Sequence, residues 1–570
     1  MSWFARHALD LVSALTDLYY TRKYGALARH LGRPRISPDQ QQGFIIIQID
    51  GLSYDHLKQA IAAGYMPYLA RLLDEERLSL ALWRCGLPST TPAVQAGIMF
   101  GNRFDIPGFR WYDKEHRQSI SCKRPDQVHM IRARVSQGQP GILKGGSCYV
   151  SLFDGDADLT LFTLSTLSSQ RFFESARGMR LLFLFLLSPF RVLRMTSLVI
   201  ISYLTGLGRR LAALVRPSIL NPFDVISPLV SAVSETLLTE AQTFGVLLDI
   251  YRCAPSIYAN YNSYDEVAHK VGPAHRAAFR VLRGVDRRIQ QIDRMRTRYR
   301  QRKYDLYILS DHGNSPAVPF KRRNGMSLDQ YIATQVGDEL PLDHVPPSDM
   351  HSQDKKRYLL QELESLEQRS SQLRRIVSAI RLHATRRMPA DHVLTYDPEQ
   401  QRDVITAASG PLAHIYFNTA SRPLDLVEVT LLYPHLVDGL LTTPGIGVIA
   451  GRVGEQTILL GQNKGILVAG TDHVLVESPH PLAPFGDVEY GTAQIHRLAH
   501  FPHAGDLIIL GAVESDGTVV GFEEQASTHG GLGGAQMRPF IAWPSECPLT
   551  PASMNDAQDL YSYFAQRYPK

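Results

Sequence analysis

Three features are scarce in this 570-residue sequence: paired cysteines, an excess of one charge, and long uncharged apolar runs. The five cysteines are scattered without a Cys-x-x-Cys pair, which argues against a disulfide framework and a cysteine zinc site. A net charge of +5 is too mild to indicate nucleic-acid binding. The first residues show no secretory pattern, because Arg6 and Asp10 interrupt it. We expect a cytoplasmic protein without a nucleic-acid partner, and nothing here defines its oligomeric state.

The mild net charge hides two basic segments. Residues 1–42 and 171–216 together carry a net charge of +10, whereas the rest of the chain carries −5. Within the second segment, two apolar runs at 181–190 and 195–208 are separated by arginines, and neither reaches the roughly 18 residues of a spanning helix. Two interpretations stay open. The segments form amphipathic helices on an anionic membrane, or they form a helical cap packed on the body with solvated arginines.

The rest of the chain predicts a doubly wound, mostly parallel α/β sheet. Residues 44–50, FIIIQID, form an apolar run of strand length, typical of a strand buried on both faces, and an amphipathic helix pattern follows to about Leu73. Similar runs recur at 255–265, 305–313, 414–417, 429–433, 465–470 and 506–512. Strands that alternate with helices predict an α/β sheet with helical insertions, in which ligands bind at the carboxyl ends of the strands.

Six segments follow from this interpretation: a basic N-terminal helical segment (1–42), the first part of the core (43–170), a basic hydrophobic helical insertion (171–216), the continued core (217–320), a charged helical insertion (321–402) and the C-terminal part of the core (403–570). The second insertion contains a helical seam of apolar residues at Leu359, Leu363, Leu366, Leu373, Val377 and Ile380. Its short length favours a helical hairpin packed on the body over a coiled-coil dimer.

Four motifs place acidic or histidine side chains where a cation could bind. Asp50 ends the first strand, the pair Asp311-His312 ends another, and Asp265 lies four residues before His269 on a predicted helical turn; His529 lies in a glycine-rich loop. Carboxylate oxygens and imidazoles suit zinc or manganese. Each motif also has a structural interpretation, respectively a helix cap, a tight turn, an exposed helix start and a flexible loop.

A hydroxyl group could act as a nucleophile beside such a cation. Ser89, Thr90 and Thr91 precede Pro92 and a helix pattern, and hydroxyl residues at this position ordinarily cap the helix. The same position lies at the positive end of the helix dipole, where an alkoxide and a phosphate are both stabilised. A neighbouring metal ion would lower the hydroxyl pKa and activate it.

The order of these motifs resembles the alkaline phosphatase superfamily, specifically its type I phosphodiesterase/nucleotide pyrophosphatase branch, over about 43–115, 250–320 and 405–545. The resemblance implies two divalent metal ions, zinc with manganese as the alternative. It implies that one ion is held by Asp50, Thr90, Asp311 and His312, and the other by Asp265, His269 and His529. In this branch the nucleophile stands two residues before a proline, which selects Thr90 over Thr91.

The chain departs from the family pattern around the substrate. The phosphate-gripping asparagine of the nucleotide pyrophosphatases has no counterpart at 106–113, where Tyr112 is nearest. Asn102, Arg103 and Arg110 are the other candidates for substrate binding, and each also has a structural interpretation.

The residues and the resemblance together predict a metal-dependent hydrolase of phosphate esters, and a phosphodiesterase is favoured. A phosphomonoesterase or a phospho-group transferase that uses the same residues is the alternative among enzymes. A catalytically inactive, membrane-associated scaffold is the alternative outside them.

Overall fold

A computed structural model of the chain describes residues 42–167, 226–299, 301–336, 342–344, 404–470 and 472–569, with isolated positions between 193 and 208. Nearly all of the two basic segments, and the helical seam predicted at 359–380, lie outside these residues. The segment boundaries drawn there therefore stay predictions.

Strands and helices are numbered separately along the described chain. The strands are β1 (Gln42–Ile49), β2 (Leu78–Leu82), β3 (Arg110–Asp113), β4 (Gln118–Ser121), β5 (Ser147–Tyr149), β6 (Leu159–Leu161), β7 (Ser256–Tyr261), β8 (Lys303–Leu309), β9 (Ser315–Pro319), β10 (Leu342–His344), β11 (Val404–Ser409), β12 (Leu412–Phe417), β13 (Ile446–Val453), β14 (Gln456–Gly461), β15 (Ile466–Ala469), β16 (Val474–Glu477), β17 (Leu507–Gly511), β18 (Val519–Gly521), β19 (Ser527–Thr528) and β20 (Phe540–Pro544). The α-helices are α1 (Tyr54–Ala62), α2 (Pro67–Asp74), α3 (Thr91–Phe100), α4 (Pro125–Val135), α5 (Leu164–Leu167), α6 (Ile226–Tyr251), α7 (Ser263–Val271), α8 (Arg276–Arg298), α9 (Phe320–Asn324), α10 (Leu328–Val336), α11 (Leu426–Leu432), α12 (Leu436–Thr442), α13 (Val488–Ala499) and α14 (Ala557–Arg567).

The predicted mostly parallel sheet is confirmed. Its seven strands lie in the order β2-β20-β8-β1-β7-β5-β6. The five strands from β8 to β6 run parallel. At one side β20 pairs antiparallel with β8, and β2 pairs antiparallel with β20, so β2 runs in the same direction as the five. Because β1 lies between β8 and β7, the carboxyl ends of these three strands share one edge of the sheet.

The uninterrupted apolar sequence of β1 is explained by burial on both of its faces. Ile45, Ile47 and Ile49 pack in one core with residues of α6 and α8. Phe44 and Ile46 pack in a second core with residues of α3 and α14. A strand of a parallel sheet that is covered by helices on both faces needs apolar residues at successive positions.

A second sheet of eight strands, in the order β10-β11-β12-β17-β13-β14-β15-β16, departs from the expected pattern. The apolar runs near 414–417, 465–470 and 506–512 are strands, as predicted, but they belong to this mostly antiparallel sheet. The short connections between consecutive strands explain why this sheet is mostly antiparallel. Two-residue turns join β11 to β12 and β13 to β14, and such short turns can only join antiparallel neighbours.

The prediction of a strand at 429–433 is wrong, because these residues belong mainly to helix α11. Asp425 caps this helix, and its carboxylate and the Glu428 side chain form a reciprocal capping box. Leu431 and Leu432 are exposed, so the apolar run is not a strand buried on both faces.

The single helix expected after Asp50 is two helices, α1 and α2. Gly64 lies between them with a φ of +72°, a left-handed conformation that favours glycine. Pro67 then begins α2, where its missing N–H removes no helical hydrogen bond.

The five cysteines are buried and unpaired, as their spacing predicts. Among the helices that the structure describes, none combines the length and the apolar character needed to cross a bilayer.

Helix α3, which begins at the threonine pair, packs closely on α14 through Gly97. A Cβ atom added at Gly97 would lie 2.6 Å from the Cβ atom of Ala557. We expect Gly97→Ala to lower the free energy of unfolding by about 1–3 kcal/mol, the usual cost of overpacking. Gly284→Ala in α8 is the matched control, because a Cβ atom there meets nothing within 4 Å and the helix gains up to about 1 kcal/mol. Urea unfolding of both variants measures this, and equal effects would contradict the packing argument.

Candidate active site

Three carboxylates meet at the shared edge of β8, β1 and β7. Asp50 follows β1 directly, Asp311 lies two residues beyond β8, and Asp265 lies in α7, the helix after β7. The helix-cap interpretation of Asp50 is wrong, because Ser53 is the residue that caps α1. Asp265 is buried, so an exposed helix start does not describe it either.

Three histidines complete the cluster around these carboxylates. The Nε2 atom of His312 lies 3.6 Å from Asp50 Oδ1 and 3.3 Å from Asp311 Oδ2. The Nε2 atom of His269 lies 3.2 Å from Asp265 Oδ2, and that of His529 lies 3.9 Å from Asp265 Oδ1. All six predicted Asp and His ligands are therefore brought together.

Two overlapping sets of three ligands have atoms within 4.8 Å of one another. One set is Asp50, Asp311 and His312, and the other is Asp265, His312 and His529. The rings of His312 and His529 stack with their centres 3.7 Å apart. His312 thus stands between the two sets, whereas the resemblance assigned it to the first set and assigned His269 to the second.

All three imidazoles are oriented by backbone carbonyls. The Nδ1 atom of His312 lies 2.9 Å from Gly313 O. The Nδ1 atom of His269 lies 2.8 Å from Ser527 O, and that of His529 lies 3.1 Å from Ser89 O. A carbonyl oxygen only accepts, so each Nδ1 carries the proton. In a neutral ring the Nε2 lone pair then faces the carboxylates. Histidines that bind metals are typically oriented in this way.

Two carboxylate oxygens lack a partner that could stabilise them. Asp50 Oδ1 and Asp311 Oδ2 are buried without a hydrogen-bond partner. In the part of the chain that the structure describes, Asp50, Asp311 and Asp265 form ion pairs with histidines only. An unpaired buried carboxylate oxygen is costly, and a divalent cation would offset that cost. The residues present therefore fit divalent metal ions.

The electrostatics of the cluster agree with this fit. Burial, followed by the charges of Asp311 and Asp265, raises the pKa of Asp50 well above its usual value. Burial and the Asp265 charge raise the pKa of Asp311 to about 7, despite a hydrogen bond from the Gly51 N–H. Burial lowers the pKa of His312 to about 4. Burial and the neighbouring His312 lower the pKa of His529 to about 3. These two rings are neutral near pH 7 and can donate lone pairs.

Comparison with known proteins identifies the family. A model of the type I phosphodiesterase/nucleotide pyrophosphatase family matches residues 44–413. The chain belongs to this family. It is therefore a phosphoric ester hydrolase of the alkaline phosphatase superfamily. No curated protein matches the chain by sequence.

Two solved structures illustrate the similarity. A phosphonoacetate hydrolase from Sinorhizobium meliloti 1021, in complex with phosphonoacetate, is 14% identical with a TM-score of 0.45, over 93% of this chain and 96% of that chain. Murine ectonucleotide pyrophosphatase/phosphodiesterase 5 is 11% identical with a TM-score of 0.40, over 92% and 95% respectively.

The two threonines at the start of α3 have different contacts in this phosphodiesterase-family chain. Thr90 occupies the N-cap position without a capping hydrogen bond, and its buried Oγ1 has no partner. A Cβ atom at Gly530 would lie 3.3 Å from Thr90 Cγ2, so Thr90 lies beside the loop that carries His529. The Thr91 Oγ1, which the sequence analysis did not select, lies 3.1 Å from His312 Nε2. The assignment of Thr90 as the nucleophile stays a prediction.

Two of the predicted substrate-binding residues hold the backbone. The Asn102 amide donates to Val135 O, and its oxygen accepts from the Phe104 N–H. The Arg103 guanidinium is fully buried and donates to the carbonyls of Cys85 and Leu87, on the segment that leads to the threonine pair. These contacts favour the structural interpretation of both residues.

The other two candidates lie on β3. The Arg110 Nη1 atom donates to Glu523 Oε1 at 2.7 Å and to Ala408 O at 3.0 Å. Although burial opposes it, the Arg110 charge keeps the pKa of Glu523 below its usual value, with a smaller contribution from His269. The Tyr112 hydroxyl accepts a hydrogen bond from the Asn418 amide at 3.4 Å. A role for Arg110 or Tyr112 in substrate binding stays a prediction.

Sequence reasoning missed two asparagines that bind the carboxylates. The Asn260 Nδ2 donates to Asp50 Oδ2 at 2.9 Å, and the Asn314 Nδ2 donates to Asp265 Oδ1 at 2.7 Å. Asn260 could have been noticed as a polar residue inside the buried strand β7. Asn314 follows His312-Gly313 directly, and its position next to that motif was the available signal.

The crowded carboxylates predict that Asp311→Asn stabilises the metal-free protein. The raised pKa of Asp311 means that the folded state binds more protons than the unfolded state, so stability falls as pH rises from 3.8 past about 7. The asparagine amide of Asp311→Asn does not titrate, so the variant does not lose stability in this way. The gain in Tm over the wild type should be largest above pH 7 and vanish below pH 3.8. Thermal unfolding in chelator at pH 5 and pH 8 measures it. Asp516→Asn on an exposed turn is the control, and a lower Tm for Asp311→Asn at pH 8 would refute the account.

Proposed function

We propose that this chain is a metal-dependent phosphodiesterase in which Thr90 is the nucleophile. Two divalent cations, zinc or manganese, would bind at the cluster. Asp50, Asp311 and His312 would hold one of them, and Asp265, His269 and His529 would hold the other. The substrate is a phosphate ester, and a diester is favoured.

One observation carries this proposal. Three histidines each use Nδ1 on a backbone carbonyl and present Nε2 to carboxylates, two of which have an unpartnered buried oxygen. A cluster kept only for structure would be more stable with apolar or paired side chains at these positions. This argues against the inactive scaffold, which needs none of these six ligands.

The bound cations would neutralise the charge of a phosphoryl group and lower the pKa of a nearby hydroxyl. The chain itself supplies the nucleophile. Thr90 Oγ1 has no hydrogen-bond partner in the described residues, so its lone pairs are free to attack. As the Thr90 oxygen loses its proton and bonds to phosphorus, the bond from phosphorus to the leaving ester oxygen breaks, and the leaving alcohol takes up a proton. Water then attacks the phosphothreonine, and the threonine oxygen leaves with a proton.

Helix α3 favours the reaction at the same place. Its free N–H groups and its dipole put positive potential where the phosphoryl oxygens would lie, beside Thr90. The Thr91 hydroxyl lies 3.1 Å from His312 Nε2, the nitrogen that a cation would take, and a hydrogen bond from Thr91 also favours the charged form of Asp50. These contacts support a role for Thr91 in orienting Asp50.

Two further expectations stay predictions from the sequence alone. Contact with an anionic membrane surface would involve 1–42 and 171–216, whose charge and apolar runs motivate it. A cytoplasmic location is motivated only by the scattered cysteines, which suit a reducing compartment.

Thr90→Ala should reduce the hydrolysis of bis(p-nitrophenyl) phosphate by at least about 10³-fold while both metal ions stay bound, because the nucleophile is lost and the Asp and His ligands remain. Thr91→Ala should cost about 10–100-fold, the range for a group that orients a metal ligand. Thr430→Ala, on the exposed face of α11, is the control with unchanged turnover.

The opposite ranking of the two variants would show that Thr91 is the nucleophile. A purified wild-type protein that hydrolyses p-nitrophenyl phosphate but not the diester would contradict the diester assignment and favour the phosphomonoesterase.

The cluster also predicts the metal content of the purified chain. We expect two divalent metal ions per chain, and about one after either Asp265→Ala or Asp311→Ala, because each change removes a ligand of a different ion. Elemental analysis of protein never exposed to chelator measures this, with Asp516→Ala as the control. A wild-type content of one or zero would refute the two-metal proposal.

A further inference from the structure

Each carboxylate of the cluster accepts a hydrogen bond from an N–H group at the end of a different strand. Asn260 on β7 donates to Asp50 after β1, and the Gly51 N–H after β1 donates to Asp311 after β8 at 3.3 Å. Asn314 after β8 donates to Asp265 after β7. These three hydrogen bonds connect the three strand ends in a closed cycle. For Asp50 and Asp311, the other oxygen stays unpartnered and faces the imidazoles.

Asn314 has the most complete set of contacts in this cycle. Its side chain is fully buried, and Nδ2 donates both to Asp265 Oδ1 at 2.7 Å and to Gly51 O at 3.1 Å. Its Oδ1 accepts from the Ser527 Oγ at 3.3 Å. The carbonyl of the same Ser527 accepts from His269 Nδ1. Asn314 therefore links Asp265 to the residue that orients His269.

These contacts favour an orienting role for Asn314 over a role as a ligand. Both of its N–H groups donate to protein acceptors, one of them the Asp265 carboxylate, and its oxygen already accepts from Ser527 Oγ. Its short bond to Oδ1 fixes the rotation of the Asp265 carboxylate, and with it the direction of Oδ2 toward His269 Nε2. Asn260 does the same for Asp50, whose Oδ1 is left facing His312.

We infer that Asn314 and Asn260 are positioning residues, each for one of the two metal sites. Asn314 sets the affinity of the site with Asp265, and Asn260 sets the affinity of the site with Asp50 and Asp311. This inference rests on the proposed metal-dependent function. Groups that hydrogen-bond to metal ligands typically change metal affinity by about 10–100-fold. The assignment of one asparagine to each site makes the two variants matched controls for each other.

The test is a titration of the full chain with Zn²⁺ against a fluorescent competing chelator, in two backgrounds. Asp311→Asn weakens the site that contains Asp50 and Asp311, so that the site with Asp265 can be measured. Asp265→Ala removes a ligand of the site with Asp265, so that the site with Asp50 and Asp311 can be measured. Asn314→Ala should raise the Kd for Zn²⁺ about 10–100-fold in the Asp311→Asn background and leave it unchanged in the Asp265→Ala background. Asn260→Ala should give the reverse pattern.

Ser527→Ala keeps the inference testable if Asn314→Ala does not fold. It removes only the hydroxyl that donates to Asn314 Oδ1, and should weaken Zn²⁺ binding in the Asp311→Asn background alone. Circular dichroism in chelator checks that every variant is folded.

Equal weakening in both backgrounds, or no change in either, would overturn the inference. A wild-type chain that binds no Zn²⁺ or Mn²⁺ would instead refute the proposed function, so the two failures are distinguishable.

Discussion

The crowding of three buried carboxylates at one edge of a parallel sheet is the constraint on which the site depends. Asp50, Asp265 and Asp311 are forced together because β8, β1 and β7 are adjacent and parallel. In the described chain only histidines form ion pairs with them, and burial disfavours a positive charge on two of those rings. The negative charge is thus left for a cation to balance, and without one the site destabilises the fold.

Hydrogen bonds hold the segment before the threonine pair against the glycine-rich loop that carries His529. His529 donates to the Ser89 carbonyl, and the Ser89 hydroxyl donates to the Gly531 carbonyl at 2.9 Å. The glycine-rich loop is therefore fixed to the residue just before the threonine pair. Arg103 also holds this segment, through a hydrogen bond to the Leu87 carbonyl. The proposed nucleophile Thr90 and the proposed metal ligand His529 are thus held close to each other, although they are more than 400 residues apart in the sequence.

Much of this cluster could be predicted from the sequence, because two of its proposed metal ligands follow apolar runs that are typical of a strand buried on both faces. Asp50 and Asp311 are identified in this way. Asn260 and Asn314 could not be, because an asparagine in a sequence has many structural roles and only its partner reveals its function. The sequence left Arg103 open between a structural and a substrate-binding role for a similar reason, since a guanidinium that donates to backbone carbonyls looks the same in sequence as one that binds phosphate. The antiparallel sheet was missed because apolar runs alone do not specify strand direction.

The most direct measurement is anomalous diffraction at the zinc edge from crystals of the full chain grown with Zn²⁺. The account predicts two peaks about 3.5–4 Å apart, the spacing of two-metal sites. One should lie among Asp50, Asp311 and His312, and the other should lie against Asp265 and His529. A single peak, or peaks only at surface histidines, would contradict the claim that the carboxylate cluster is a two-metal centre.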